Sequence, residues 1–410
     1  MMFGKRILIL SQVFWPDSSA VSQVMTDLAE ELSRRRNRVE VFSSRFAYEN
    51  PKVRFDAYEE HGGIRIRRLW QTVFAKTSRG GRLLNFLTFN ISLLISLFAV
   101  RKGKIDLIIG TTVPPLSSFF GAVVARVKKI PFAFWAMDLQ PELAITAGYI
   151  RKNGLSARIL AKMSDVSMSN SDLIVSLDRF MTAHIKTRLV KPVRIVTHTL
   201  WPAMDKVNEG ERLDNSFRKE HGLSDKIVIM YSGNMSVMHP LDTLLRAAGE
   251  LRADDRFLFL FIGGGVRKLE VAKYQRENHL ANIRLLPLQD RARISISLGA
   301  ADLQAVVLGD GCVGLTHPNK IYGAMFIGKP ILYIGPRPSH ITEILDSCPG
   351  NISVPHGSTE ELVRRLKEFA SRSEEDRGKV GRSNREYGLI HFSAVKLKEA
   401  LVSELLSVTK

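Results

Sequence analysis

Residues 317–332 read HPNKIYGAMFIGKPIL, and the punctuation of this stretch marks an α/β connection. A Pro-containing loop leads into a short amphipathic helix. Gly328 stands where a left-handed C-cap belongs, Pro330 stops the helix, and a buried strand follows. At the helix start, His317, Asn319 and Lys320 gather where unpaired backbone N–H groups and the positive dipole end favour an anion. Cations there do nothing for the helix itself, so a bound phosphate is the economical reading. A solvated lysine on an ordinary αβ connection is the plain alternative.

Outward from this stretch, strand runs and helical patterns alternate. In the second half, strands are expected at 226–232, 257–262, 283–286, 303–307, 331–334 and 352–354, with helices near 241–251, 266–278, 291–299 and 360–371. In the first half, strands are expected at 6–10, 38–43, 64–69, 105–109, 132–135, 173–176 and 193–197, with helices such as 20–36 and 155–169 between them. The strand runs are short and uninterruptedly apolar, as strands covered on both faces should be. Alternation of this kind argues for parallel, doubly wound sheets. The periodicity lapses around the polar NEGERLDNSF, which divides the chain into a first Rossmann-like domain (1–200), a linker (201–222) and a second such domain (223–382). A largely helical tail (383–410) follows, and a cleft between the halves is the default site.

Composition narrows the partners. At 410 residues the chain is too long for one core, and 45% hydrophobic with 24% charged residues is globular. A net charge of +18 favours anionic partners such as nucleic acid, an anionic lipid surface or phosphorylated small molecules. No zinc finger, RRM or helix-turn-helix signature accompanies that charge, so nucleic acid is not expected. Cys312 and Cys348 form no CxxC, which fits a reducing cytoplasm and offers no metal spacing. The apolar run after the N-terminal Met is too short for a signal peptide and reads as a first strand.

One segment stands apart. Residues 83–100, LLNFLTFNISLLISLFAV, carry no charge, and Arg79, Arg82, Arg101, Lys102 and Lys104 bracket them. As a helix it would be about 27 Å long, borderline for crossing a bilayer. Asn85, Thr88, Ser92 and Ser96 fall on one narrow polar stripe. Docking at a membrane interface, burial against the first sheet, and a true span are the three readings, and the unbroken βα pattern around it disfavours the last.

Candidate site residues sit where strands end. The loop SQVFWPD (11–17) lacks glycine but precedes a helix that Asp17, Ser18 or Ser19 would cap. In FAFWAMDLQPE (132–142), Asp138 closes a strand and Glu142 follows four residues later, at a position suited to general-base or hydroxyl-binding work. Asp138 capping the next turn is the plain alternative. In IMYSGNMSVMHPLD (229–242), Gly233 permits close backbone approach, while Asn234 and His239 supply neutral donors. Gly263, Gly264 and Gly265 leave room beside a nucleotide or simply make a tight turn, and Arg267 and Lys268 add charge for phosphate.

SQVFWPD, MDLQPE, YSGNMSVMHPLDTLL, FIGGGVRK and HPNKIYGAMFIGKPIL, in that order, resemble a family 4 glycosyltransferase of the GT-B fold. The branch is similar to fucosamine transferases of surface-polysaccharide assembly. The resemblance implies two Rossmann-like domains facing across a cleft, with the C-terminal helix crossing back to the first. It implies retaining transfer of a sugar from a nucleotide diphosphate, UDP-linked by expectation, to a saccharide or polyprenyl-diphosphate-linked acceptor. It implies work at the cytoplasmic face of the plasma membrane, against an anionic surface, without a metal or other cofactor. Carried onto this chain, Gly233 and Asn234 lie beside the diphosphate, with Gly264 and Gly265 near the base or ribose. Lys320 and the N–H groups after it hold the diphosphate, His317, Asn319 and Tyr322 belong to the same donor-binding stretch, and Asp138 faces the acceptor.

Two departures qualify this. Where most of the family has two glutamates eight positions apart, this chain has Leu315 and Gly323. The usual basic pair after the Gly-containing turn gives way to Met238, His239 and Pro240, leaving the diphosphate to Lys320, His239 and backbone dipoles. A nucleotide-sugar epimerase of the same fold and a binding module with impaired catalysis are the alternative functions.

Overall fold

The computed structural model describes residues 4–17, 19–47, 50–74, 79–101, 103–112, 114, 116–202 and 215–409. Most of the expected linker, together with Ser18 and Lys102, lies outside the described residues. The chain divides into two compact units. The first is Met1–Leu200 with Gly314–His317 and Val395–Lys410, and the second is Trp201–Val313 with Pro318–Ala394.

The first unit is built on β1 (Arg6–Leu10), β2 (Arg38–Ser44), β3 (Tyr58–His61), β4 (Ile64–Leu69), β5 (Leu107–Thr111), β6 (Phe132–Trp135), β7 (Leu173–Ser176) and β8 (Ile195–Thr197). Their order is β3-β4-β2-β1-β5-β6-β7-β8. All neighbours are parallel except β3, which pairs antiparallel with β4. β3, YEEH, went unforeseen because its residues alternate between exposed and half-buried, with no apolar run to mark an edge strand. The helices are α1 (Ala20–Arg34), α2 (Arg79–Ala99), α3 (Ser117–Lys128), α4 (Glu142–Thr146), α5 (Leu155–Ser169) and α6 (Arg179–Arg188). Ser19 caps α1 by accepting the Ser22 N–H at 3.2 Å.

The second unit opens with α7 (Ser216–Glu220) and carries β9 (Ile227–Ser232), β10 (Phe257–Ile262), β11 (Ile283–Leu286), β12 (Leu303–Val307), β13 (Ile331–Ile334) and β14 (Ile352–Val354). The order β11-β10-β9-β12-β13-β14 is that of the doubly wound dinucleotide-binding sheet, and every pair is parallel. Covering helices are α8 (Asp242–Glu250), α9 (Lys268–Glu277), α10 (Ile294–Gly299), α11 (Lys320–Ile327), α12 (His340–Asp346), α13 (Thr359–Ser371) and α14 (Glu374–His391). The helix expected over 291–299 is a 3₁₀ turn running into α10. β10 shows why the strand runs were legible. Phe257, Phe259 and Phe261 enter the core on one face, and Leu258, Leu260 and Ile262 enter a second core on the other. The chain ends in α15 (Ala394–Leu406), which the division at Val395 assigns to the first unit.

α11 departs from expectation in one respect. Ile321, Tyr322, Ala324, Met325 and Ile327 are all buried, so the helix is a core element rather than an amphipathic one. Gly328 ends it in the left-handed conformation, φ 73°, as its sequence position demanded.

Candidate active site

In both sheets the chain reverses its winding beside the first strand, between β1 and β5 and between β9 and β12, and ligand sites of such sheets lie beyond the carboxyl ends of those strands. In the second unit, β9 ends at Tyr231 and Ser232 and turns through Gly233, whose φ is +117°. The neighbouring loop after β10 comes so close that a Cβ on Gly263 would lie 2.3 Å from the Gly233 carbonyl oxygen. A Cβ on Gly265 would lie 2.3 Å from Asn234 Oδ1. These two glycines let loop pack on loop, and only Gly264 has open space where a side chain would stand. Gly265 thus packs against Asn234, the residue of the neighbouring turn.

Lys320 is the first residue of α11. Its Nζ lies 4.9 Å from the centre of the Tyr231 ring and 3.2 Å from where a Gly233 Cβ would be. Among the described residues it pairs with no carboxylate. Burial lowers its pKa to about 8. Tyr231 is wholly buried, and its hydroxyl donates to the Asn234 carbonyl at 2.8 Å, tying the turn to the ring beneath the ammonium. Sequence reading passed over Tyr231 as an ordinary strand residue. Its place next to the Gly-Asn turn was the available signal. Asn319 precedes Lys320, caps nothing with its side chain, and among the described residues leaves Oδ1 buried without a hydrogen-bond partner.

His239 is corrected in its chemistry. Burial, followed by the fields of Lys320 and Arg267, lowers its pKa to about 3, so the ring is neutral. Its Nδ1 lies 2.7 Å from the Val307 carbonyl and must donate there. Nε2 then carries a lone pair and accepts rather than donates, which suits a hydroxyl better than a diphosphate oxygen. Arg267 is drawn off by acids: Nη1 lies 2.8 Å from Glu270 and 3.6 Å from Asp242. Tyr322, expected in the donor site, is buried against Phe392 with ring centres 4.7 Å apart.

In the first unit, Asp138 follows β6. The Thr112 hydroxyl accepts the N–H groups of Met137 and Asp138 at 3.3 and 3.0 Å, and the Leu139 N–H donates to the Leu315 carbonyl at 2.8 Å. Desolvation raises the Asp138 pKa, against the Thr316 hydroxyl bond and the His317 charge, which lower it. His317 belongs to this unit and not with Asn319 and Lys320. Its Nδ1 is 2.9 Å from Asp178 Oδ2, while Asp178 Oδ1 caps α6 by accepting the Met181 N–H at 2.8 Å. Glu142 is likewise re-read. It lies 3.0 Å from Arg188 and 3.5 Å from His184, and Arg188 also reaches Asp165 at 2.6 Å. Desolvation works to raise the Glu142 pKa, but His184 and Arg188 outweigh it and hold the group below its ordinary range. That is an ion-pair network joining three helices rather than a free catalytic base.

The two-unit, parallel-sheet architecture is the GT-B fold. Residues 19–201 match the family described as "Glycosyl transferase 4-like domain". The chain is 26% identical over 310 residues to "Probable glycosyltransferase WbjE" of Pseudomonas aeruginosa, covering 76% of this chain and 77% of that one. It is 23% identical over 374 residues to "Putative colanic acid biosynthesis glycosyl transferase WcaI" of Escherichia coli K12, covering 88% and 91%. Among solved structures it superposes on HepE from Anabaena in complex with UDP and glucose, with a TM-score of 0.74, 13% identity, and 98% and 100% of the two chains covered.

Proposed function

We propose that the protein is a family 4 glycosyltransferase that moves a sugar from a nucleoside diphosphate, a UDP-sugar by preference, to an acceptor hydroxyl in polysaccharide assembly. The observation that carries this reading is the Lys320 ammonium, held on the Tyr231 ring at the start of α11 with no carboxylate among the described residues to neutralise it. A diphosphate supplies the missing anion. Asn319 Oδ1, buried and without a partner among the described residues, accepts a hydroxyl of the same ligand. In transfer, the bond from the anomeric carbon to the diphosphate oxygen breaks and a bond to the acceptor oxygen forms. The acceptor proton passes to the leaving phosphate, and the configuration is retained. Lys320 stabilises the charge that develops on the leaving group, and no divalent metal is required for that task. Asp138 orients hydroxyls on the acceptor side. The acceptor is a lipid-linked saccharide at the cytoplasmic face of the plasma membrane.

The test is a thermal-shift panel of nucleoside diphosphates and nucleotide sugars, followed by Lys320→Ala. One diphosphate at many times its dissociation constant raises Tm, since a ligand at ~100 Kd adds about 2.7 kcal/mol to the folded state. Lys320→Ala loses the shift and the turnover while its own melt stays cooperative. A panel without a single shift, or a Lys320→Ala enzyme with full turnover, overturns the reading.

A further inference from the structure

α2 is apolar on the wrong side. Its inner face packs with Phe89, Leu93 and Leu97 wholly buried. Its polar residues do not turn outward to compensate. Asn90 is buried and accepts from Ser117 of α3 at 3.3 Å, and Ser96 is buried. Asn85 and Thr88 hold the preceding loop, accepting the N–H groups of Phe74 and Thr72 at 2.8 and 3.0 Å. What remains facing out is Leu84, Leu87, Ile91, Ile95 and Phe98, spaced by three and four residues and each 40 to 66% exposed. The clamped loop adds Trp70, Val73 and Phe74 to the same helix, all of them exposed. An apolar stripe of this size is exceptional on a surface that faces only water.

The charge around it is one-sided. From Leu69 to Met137 the chain has nine Lys and Arg residues and one acid, Asp106. That acid is taken, pairing with Arg6 at 2.7 Å. At the far end, the Lys128 ammonium binds the carbonyls of Leu97 and Phe98 and so joins the ends of α2 and α3. Arg101, Lys104, Arg126 and Lys129 are exposed about that junction. No helix among the described residues is long and apolar enough to cross a membrane.

We propose that the outer face of α2, with Trp70 and Phe74, seats the protein in the interfacial layer of an anionic bilayer. The helix lies in the membrane plane, its apolar stripe below the headgroups and the cations at its C-terminal end among them. A second protein chain is the rival occupant, but an exposed apolar strip with a cluster of exposed cations at its end fits anionic headgroups over an apolar interior. The proposal deepens the assignment of a lipid-linked acceptor, yet it stands on a surface that takes no part in donor binding.

The experiment is co-sedimentation of the full chain with phosphatidylcholine vesicles, with and without phosphatidylglycerol, at low and high salt. The protein pellets with the anionic vesicles, and salt weakens the binding. The variant Ile91→Ser/Ile95→Ser/Phe98→Ser partitions about ten-fold more weakly or worse at either salt. Arg101→Glu/Lys104→Glu/Lys129→Glu loses mainly the salt-sensitive part. Both variants keep the thermal shift with UDP, which reports the fold and the donor site separately. Failure of the UDP shift with vesicle binding intact defeats the donor reading alone. Three results overturn the proposal: no binding to anionic vesicles, unchanged binding by the triple-serine variant, or a solution dimer that this variant dissolves.

Discussion

Lys320 is a buried lysine without a counter-ion among the described residues, and the energy this costs the fold is the clearest trace of function in this chain. Depressing Lys320 from 10.5 to about 8 corresponds to on the order of 3 kcal/mol of desolvation. Below about pH 8 the folded and unfolded chains both carry the proton and the cost is borne in full. As pH rises from about 8 to 10.5 the folded chain releases the proton first, so stability increases across that window. On the proposed function, diphosphate binding runs the other way, because it uses the ammonium. Affinity for UDP is expected to fall about ten-fold per pH unit above about 8, with proton uptake visible by calorimetry in buffers of different ionisation enthalpy. Lys320→Met removes this dependence and raises the Tm of the unliganded protein. Glu142 predicts the opposite kind of variant. Its network stabilises the fold while the carboxylate is charged, and that stability is lost as pH falls through its lowered pKa. Glu142→Gln should cost about 1–3 kcal/mol of stability in a denaturant titration and leave turnover of the surviving folded enzyme nearly intact. Sequence marked Glu142 as a site candidate because it follows a strand end, and Lys320 because it stands at a helix start. What separated them was invisible there: Glu142 meets His184 and Arg188 of α6, whereas Lys320 pairs with no carboxylate among the described residues.

At the scale of elements, the chain was most legible where strands are covered on both faces. β1, β4, β6, β7, and five of the six strands of the second sheet begin and end at the residues their apolar runs indicate. β3 escaped because an edge strand has no such run. α2 and α11 escaped in another way: composition announced both helices, but which side of each meets protein depends on neighbours that local sequence does not encode. The glycine run after β10 shows the same limit. Its three residues look interchangeable in sequence, yet Gly263 and Gly265 have positive φ and backbone or side-chain atoms where a Cβ would go. Gly264 has neither. Gly263→Ala and Gly265→Ala are expected to lower Tm sharply or leave the protein insoluble. Gly264→Ala should melt like the parent. Any loss of UDP affinity it shows in calorimetry would then measure how near the ligand comes to that turn.

On the scale of the whole molecule, the path of the chain matters more than its halves. The first unit is not finished at Leu200. It takes back Gly314–His317, which supplies the Leu315 carbonyl to Leu139 and His317 to Asp178, and later Val395–Lys410. The short return was hidden because four residues carry no periodicity. The long return was expected from 383, but α14 belongs with the second unit, so the division falls at Val395. Within the first unit, Leu401, Val402 and Leu405 of α15 are wholly buried. Arg194, just before β8, bonds to Ser407 at 2.7 Å and pairs with Glu404, and Glu399 lies 3.6 Å from Arg35 at the end of α1. Three fully buried aliphatic side chains contribute roughly 4–9 kcal/mol, comparable to the net stability of a domain, whereas the exposed ion pairs add little. A chain ending at Ala394 should therefore lose its first unit selectively. Hydrogen exchange read by mass spectrometry would show β7 and β8 losing protection while β9, β10 and β12 keep theirs. UDP should still slow exchange in the loops after β9 and β10 of the truncated chain, because the Lys320–Tyr231 seat lies wholly within the second unit. Equal loss of protection in both sheets would mean that the stability of the second unit also depends on α15.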